Sequence, residues 1–117
     1  MSIVELSEEF SICKIQDTSS VDFSKKFMFL SKTDEEVSLV CESEYVPNNA
    51  IDVESGWRAI RIAGVLGFDL IGVIAGITSI LAENNISVFA ISTYNTDYVL
   101  VKSSDFDKSL ALLENHK

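Results

Sequence analysis

Apolar positions crowd the second half of the chain, and their period changes as the chain proceeds. From Trp57 to Gly64 they alternate as a strand does, with Trp57, Ala59 and Arg61 opposite Arg58, Ile60 and Ile62. After a turn at Gly67, Leu70 to Asn84 is almost continuously apolar, which predicts a buried helix capped by Asp69 and leaving through Asn84 and Asn85. Ile86 to Tyr94 and Asp97 to Lys102 read as strands around a tight turn at Asn95 and Thr96. A last helix is expected from Asp105 to Asn115, capped by Ser104, with Phe106, Leu110 and Leu113 on one face. This order is βαββα, one strand short of a ferredoxin-like βαββαβ unit. Ile3 to Leu6 is expected to supply the missing strand.

The first half is more polar and its strands are shorter. Ile3 to Leu6 and Phe10 to Ile15 read as strands, the second with Phe10, Ile12 and Lys14 on one side. Residues 16–26 read as a connection, and Phe27 to Thr33 with Glu36 to Ser43 as a hairpin turning at Thr33-Asp34-Glu35. Val37, Leu39 and Cys41 then share a face. Tyr45 to Glu54 holds the one proline, Pro47, followed by two asparagines, and predicts a boundary. Two units follow, a truncated one over residues 1–56 and a fuller one over 57–117.

With 117 residues, 47% of them hydrophobic, the chain can bury a sizeable core. The formal charge of −9 is uneven, since residues 1–56 hold twelve acids and four bases and residues 57–117 hold six acids and five bases. Such a surface repels phosphate backbones and anionic membranes, so neither nucleic acid nor a membrane is expected as a partner. The uncharged run Leu70 to Ala82 is shorter than a bilayer span, and MSIVELSEEF has no secretory pattern. A cytoplasmic location with Cys13 and Cys41 reduced is the expectation. Twenty-seven residues lie between these cysteines, with no CxxC, which reads as core packing, not metal or redox chemistry. His116 is the sole histidine, so one chain assembles no zinc site and no Ser-His-Asp triad without it. Gly64, Gly67 and Gly72 fit no nucleotide-binding pattern. No cofactor, metal or enzymatic activity is expected.

Several short words in the chain carry a family resemblance. They are TDEEVSLVC from Thr33 to Cys41, Gly56-Trp57-Arg58, Gly67-Phe68-Asp69 with Gly72-Val73, Ile91-Ser92-Thr93-Tyr94, and Thr96-Asp97-Tyr98-Val99-Leu100-Val101. In this order they resemble the short tandem ACT-domain family, which is related to CASTOR-type cytosolic arginine sensors. The resemblance implies an α+β fold of tandem ACT units, with antiparallel sheets and helices packed on one face. It further implies a regulatory protein that binds a free amino acid at an interface between ACT units, works as a homodimer and passes its occupancy to a protein partner. By similarity the effector would be held by Asp69, Leu70, Ile71, Gly72 and Val73 on one side and Thr93, Tyr94, Asn95, Thr96 and Asp97 on the other, with Ser38 contributing from the facing unit.

The chemistry of those residues suits the role. Free N–H groups at a helix start favour an α-carboxylate, and Asp97 with the carbonyls of an exposed turn favours an ammonium. Plainer readings stand beside it. Gly72 and Gly76 could serve only helix packing, Asp69 only as a cap, and residues 93–97 only as a hairpin. The other reading of the whole is a ligand-free dimerisation or docking module with the pocket filled by Leu70, Ile71 and Tyr94.

Overall fold

The computed structural model describes residues 2–63 and 72–114 of the chain. Valine, isoleucine and phenylalanine runs at period two form the strands β1 (Ser2–Ile15), β2 (Met28–Lys32), β3 (Val37–Glu42), β4 (Ala50–Ala63), β5 (Val88–Ser92) and β6 (Asp97–Lys102). The helices are α1 (Val73–Glu83) and α2 (Phe106–Glu114), and short 3-10 turns at Ser43–Tyr45 and Ser103–Asp105 complete the elements. The fold is α+β. By contacts the chain forms two compact units, one of Glu8–Trp57 and the other of Met1–Ser7 with Arg58–Lys117. β1 and β4, 14 residues each, contribute residues to both.

In the unit of Glu8–Trp57 the strand order is β2-β3-β1-β4. β1 and β3 run antiparallel with Cys13 opposite Leu39 and Ser11 opposite Cys41. Cys13, Ile15, Leu39 and Cys41 therefore share one face, which Val21, Met28, Val37, Val46 and Ala50 cover. Residues 16–27 connect β1 to β2 with no helix. The Ser11 hydroxyl, wholly buried, meets those of Ser43 and Ser55 at 2.7 and 2.9 Å. Its polar group is thus satisfied where an orphan would cost about 1–3 kcal/mol.

Burial raises the pKa of both thiols, and Cys41 is pushed up from 9.0 to about 12. In the unfolded chain Cys41 ionises from about pH 9 while the folded thiol resists, so its contribution is complete below that pH and fades as pH climbs towards 12. Urea unfolding at about pH 8 and about pH 10.5 should show a smaller alkaline loss for Cys41→Val than for the wild type. An identical loss in both chains would contradict this account.

In the other unit the order is β1-β4-β6-β5, with the first residues of β1 at the edge beside β4. Ile60, Ile62, Val99 and Val101 point to one face of the sheet, where Ile77 and Leu81 of α1 and Phe106 and Leu113 of α2 pack against them. Both helices thus cover a single face. Arg58 ties down the edge. Its guanidinium lies 4.0 Å above the Phe106 ring and donates two hydrogen bonds to the Leu6 carbonyl, the shorter 2.8 Å.

Several expected elements are corrected by the structure. Ile3–Leu6 and Phe10–Ile15 are parts of one strand. The stretch expected as a boundary, Tyr45–Glu54, gives its last residues to β4, because Ile51 and Val53 alternate with Asp52 and Glu54 and Gly56, at φ +85, absorbs the irregularity. The helix expected from Leu70 begins at Val73, since Gly72 at φ +83 is left-handed and cannot belong to it. Asp69, Leu70 and Ile71 lie outside the described residues. The exit is as expected, with Asn85 left-handed at φ +60.

The expectation that this helix is buried holds for one face only. Ile77 and Leu81 are buried, but Ala75, Gly76, Ser79 and Ala82 are exposed, because small apolar residues raise hydrophobicity without demanding cover. A Cβ at Gly76 would meet nothing within 4 Å, so this glycine does not serve packing. Gly76→Ala should therefore stabilise the protein by about 0.5–1 kcal/mol, the ordinary helix preference, as a higher urea midpoint would show.

Candidate functional site

In the second unit, β4 and the hairpin meet at one end of the sheet, and α1 starts at that same end. β5 and β6 are antiparallel, Ser92 opposite Asp97, so residues 93–96 form the turn. The Thr93 amide and hydroxyl both donate to the Thr96 carbonyl at 2.8 Å. The Thr96 hydroxyl in turn donates to the Ile62 carbonyl, near the end of β4. α1 is 11 residues, about 16 Å long, and a short connection joins its C-terminus to β5, which spans about 16 Å. Packed back along the strand, the helix starts at the hairpin end.

That start has a distinct electrostatic character. Gly72 occupies the N-cap position without a side-chain hydrogen bond, and no acidic residue stands in the first turn. The first intrahelical bond runs from the Gly76 amide to the Gly72 carbonyl at 2.8 Å, leaving the amides before it without helical acceptors. Among the described residues no capping side chain compensates the partial positive charge of the helix end. Gly72 is exposed and Val73 half-buried, so the end is accessible.

The residues expected to bind a ligand are placed unequally. Gly72, Val73, Thr93, Tyr94, Asn95, Thr96 and Asp97 belong to this corner. Tyr94 is 82% exposed, Asn95 is exposed, and Asp97 is half-buried. Asp69, Leu70 and Ile71, expected to form its other wall, lie outside the described residues. Ser38 belongs to the unit of Glu8–Trp57, where it is half-buried in a cleft with Ile12, Lys14 and Asp52. Thr93 and Thr96 spend their hydroxyl protons on backbone carbonyls, so towards a ligand they act as acceptors only. Sequence reasoning missed Ile62, whose carbonyl anchors the hairpin. No side-chain signal marks a backbone acceptor. Among the described residues no group of His, Cys, Asp and Glu side chains is arranged to hold a metal ion, and no helix is long and apolar enough to cross a membrane.

The family model described as the ACT domain matches residues 52–115, more than half of the chain. The chain belongs to the ACT domain family. The human cytosolic arginine sensor for mTORC1 subunit 1 is 39% identical over 62 residues, which is 52% of this chain and 19% of the sensor. The match therefore spans under a fifth of that relative. Among solved structures, a protein of Agobacterium tumefaciens superposes with a TM-score of 0.84 at 29% identity, covering 97% of this chain and 86% of its own. The ligand-free regulatory subunit of aspartate kinase from Thermus thermophilus gives 0.70 at 8% identity over 98% and 96% of the two chains. That likeness is one of fold. The ACT domain's βαββαβ order appears here with β4, α1, β5, β6 and α2 in sequence and β1 beside β4.

Proposed function

We propose that this ACT protein is a regulatory sensor whose effector is a free amino acid, bound at an interface between ACT units. One observation carries the reading: the accessible start of α1, which no described side chain caps, lies at the same end of its unit as the Thr93–Asp97 hairpin. The helix start would take the α-carboxylate through backbone N–H groups of Gly72, Val73 and the residues before them, Asp69, Leu70 and Ile71. Asp97 and the turn carbonyls of Tyr94 and Asn95 would take the α-ammonium. Ser38 would contribute from the facing unit. The arginine-sensor relatives make an amino acid the natural class of effector. Homodimerisation, a protein partner that reads the occupancy, and a cytoplasmic location belong to the same proposal, as does the absence of catalysis.

The measurement is thermal unfolding with each common amino acid at millimolar concentration. Ligand at a hundred times its dissociation constant adds about 2.7 kcal/mol, a rise of several degrees for a chain of this size. Asp97→Ala should remove most of that rise while leaving the unliganded midpoint nearly unchanged. A shift that survives the substitution would remove Asp97 from the site, and no shift with any amino acid would reject the sensor reading. That last result favours the second reading, a docking module, although Tyr94, 82% exposed, does not fill a pocket as that reading expects.

A further inference from the structure

The unit of Glu8–Trp57 holds a cleft of about 350 Å³, at the small end of the range for small-molecule pockets. It is lined by Ile12, Lys14, Glu36, Ser38, Asp52 and Glu54 among others. Strand alternation explains why these side chains meet. Lys14 stands opposite Ser38 in the β1–β3 register. The Ser55 hydroxyl bonds that of Ser11, so Ser55 shares the face of Ser11 and Cys13. Asp52 and Glu54 then point to the other face, with Ile12 and Lys14. Glu36 precedes Ser38 by two residues and falls on the same side as it.

Across adjacent strands about 4.8 Å apart, the cleft thus presents a carboxylate and a hydroxyl, then an ammonium, then two carboxylates. Among the described residues no ion pair joins Lys14 to Glu36, Asp52 or Glu54. These opposite charges border a common space without neutralising one another. A solute that completes them carries an anionic group at its centre and cationic groups to either side, with a net positive charge to match the cleft's net negative one. Ile12, half-buried, offers apolar contact to a methylene chain.

We propose that this cleft is a binding site for a diamino monocarboxylic acid, sharing only Ser38 with the effector site proposed above and none of the residues of the α1 corner. The carboxylate would pair with Lys14 and accept a hydrogen bond from Ser38, while the two ammonium groups face Glu36 on one side and Asp52 and Glu54 on the other. The preference should run from ornithine or lysine, through alanine, to glutamate, whose second carboxylate meets three like charges.

The test is a titration of the full chain, followed by backbone amide NMR, with ornithine, alanine and glutamate in turn. Ornithine should shift the amides of residues 12–14, 36–38 and 52–54, and alanine should bind about fivefold more weakly, the scale of one half-exposed ion pair. Lys14→Met and the double substitution Asp52→Asn with Glu54→Gln should each weaken ornithine by a similar factor, with spectra otherwise native. Asp97→Ala should leave these shifts in place, which separates this cleft from the α1 corner. Absence of shifts at these residues, shifts confined to residues 93–97, or an affinity indifferent to Lys14 would overturn the proposal and leave a solvated acidic face.

Discussion

Leu81→Ala is expected to lower stability by about 3 kcal/mol, within the range of roughly 2–5 for a buried leucine cut to alanine. Leu81 is fully buried in the cluster with Ile60, Ile62, Ile77, Val99, Val101 and Leu113. The loss combines the transfer free energy of the removed carbons with the cavity they leave, and surrounding β-branched side chains with few rotamers relax poorly into such a space. Domains of this size are stable by about 5–15 kcal/mol, so the change is a large fraction of the total. Urea unfolding should show a lower midpoint with an unchanged slope. Ala82→Ser, one residue on and exposed, should stay within about 0.5 kcal/mol of the wild type. Equal effects at the two positions would mean that α1 does not pack by the face assigned to it.

Deletion of Ser2–Ser7 is expected to have the larger effect. Leu6 is 7% exposed, Ile3 packs against the main core cluster, and the Leu6 carbonyl accepts both bonds from Arg58. Removing the segment strips the outer strand from β4, uncovers core and leaves a guanidinium without its acceptor. Together these should cost more than about 4 kcal/mol, enough to unfold a unit of ordinary stability. Amide NMR should then lose dispersion for α1, β5, β6 and α2, while residues of Glu8–Trp57 keep native shifts. A native spectrum throughout from a chain that begins at Glu8 would show that the segment is dispensable.

Much of the architecture was legible where pattern and burial coincide. β6 lies at Asp97–Lys102 as alternation predicts, because its Val99 and Val101 face the helices while its neighbours do not. The ends of β4 and α1 were not legible. Ile51 and Val53 are exposed residues in a strand, so their alternation with Asp52 and Glu54 marks no buried face and reads as a polar linker after Pro47. At α1, an Asp followed by apolar residues imitates a capped helix, and only the backbone of Gly72 shows where the helix begins. Of the site, the turn residues Thr93 and Thr96 could be read, but not the carbonyl of Ile62 that fastens them. Spacing likewise gave no sign that Lys14, Ser38 and Asp52 would line one cleft, since that depends on which strands become neighbours.

The division of β1 between the units also bears on biosynthesis. Ser2–Ser7 leaves the ribosome well before the strand it lies beside, the later part of β4, which is made some fifty residues afterwards. The earlier unit is continuous in the chain and can settle as it emerges, at about 5–20 residues per second. The opening segment must meanwhile wait for several seconds as a bare strand edge, the form most open to capture by another chain. Glu5 among its three apolar residues, Ile3, Val4 and Leu6, and Glu8 and Glu9 just after it place negative charge where a passing strand would otherwise add itself.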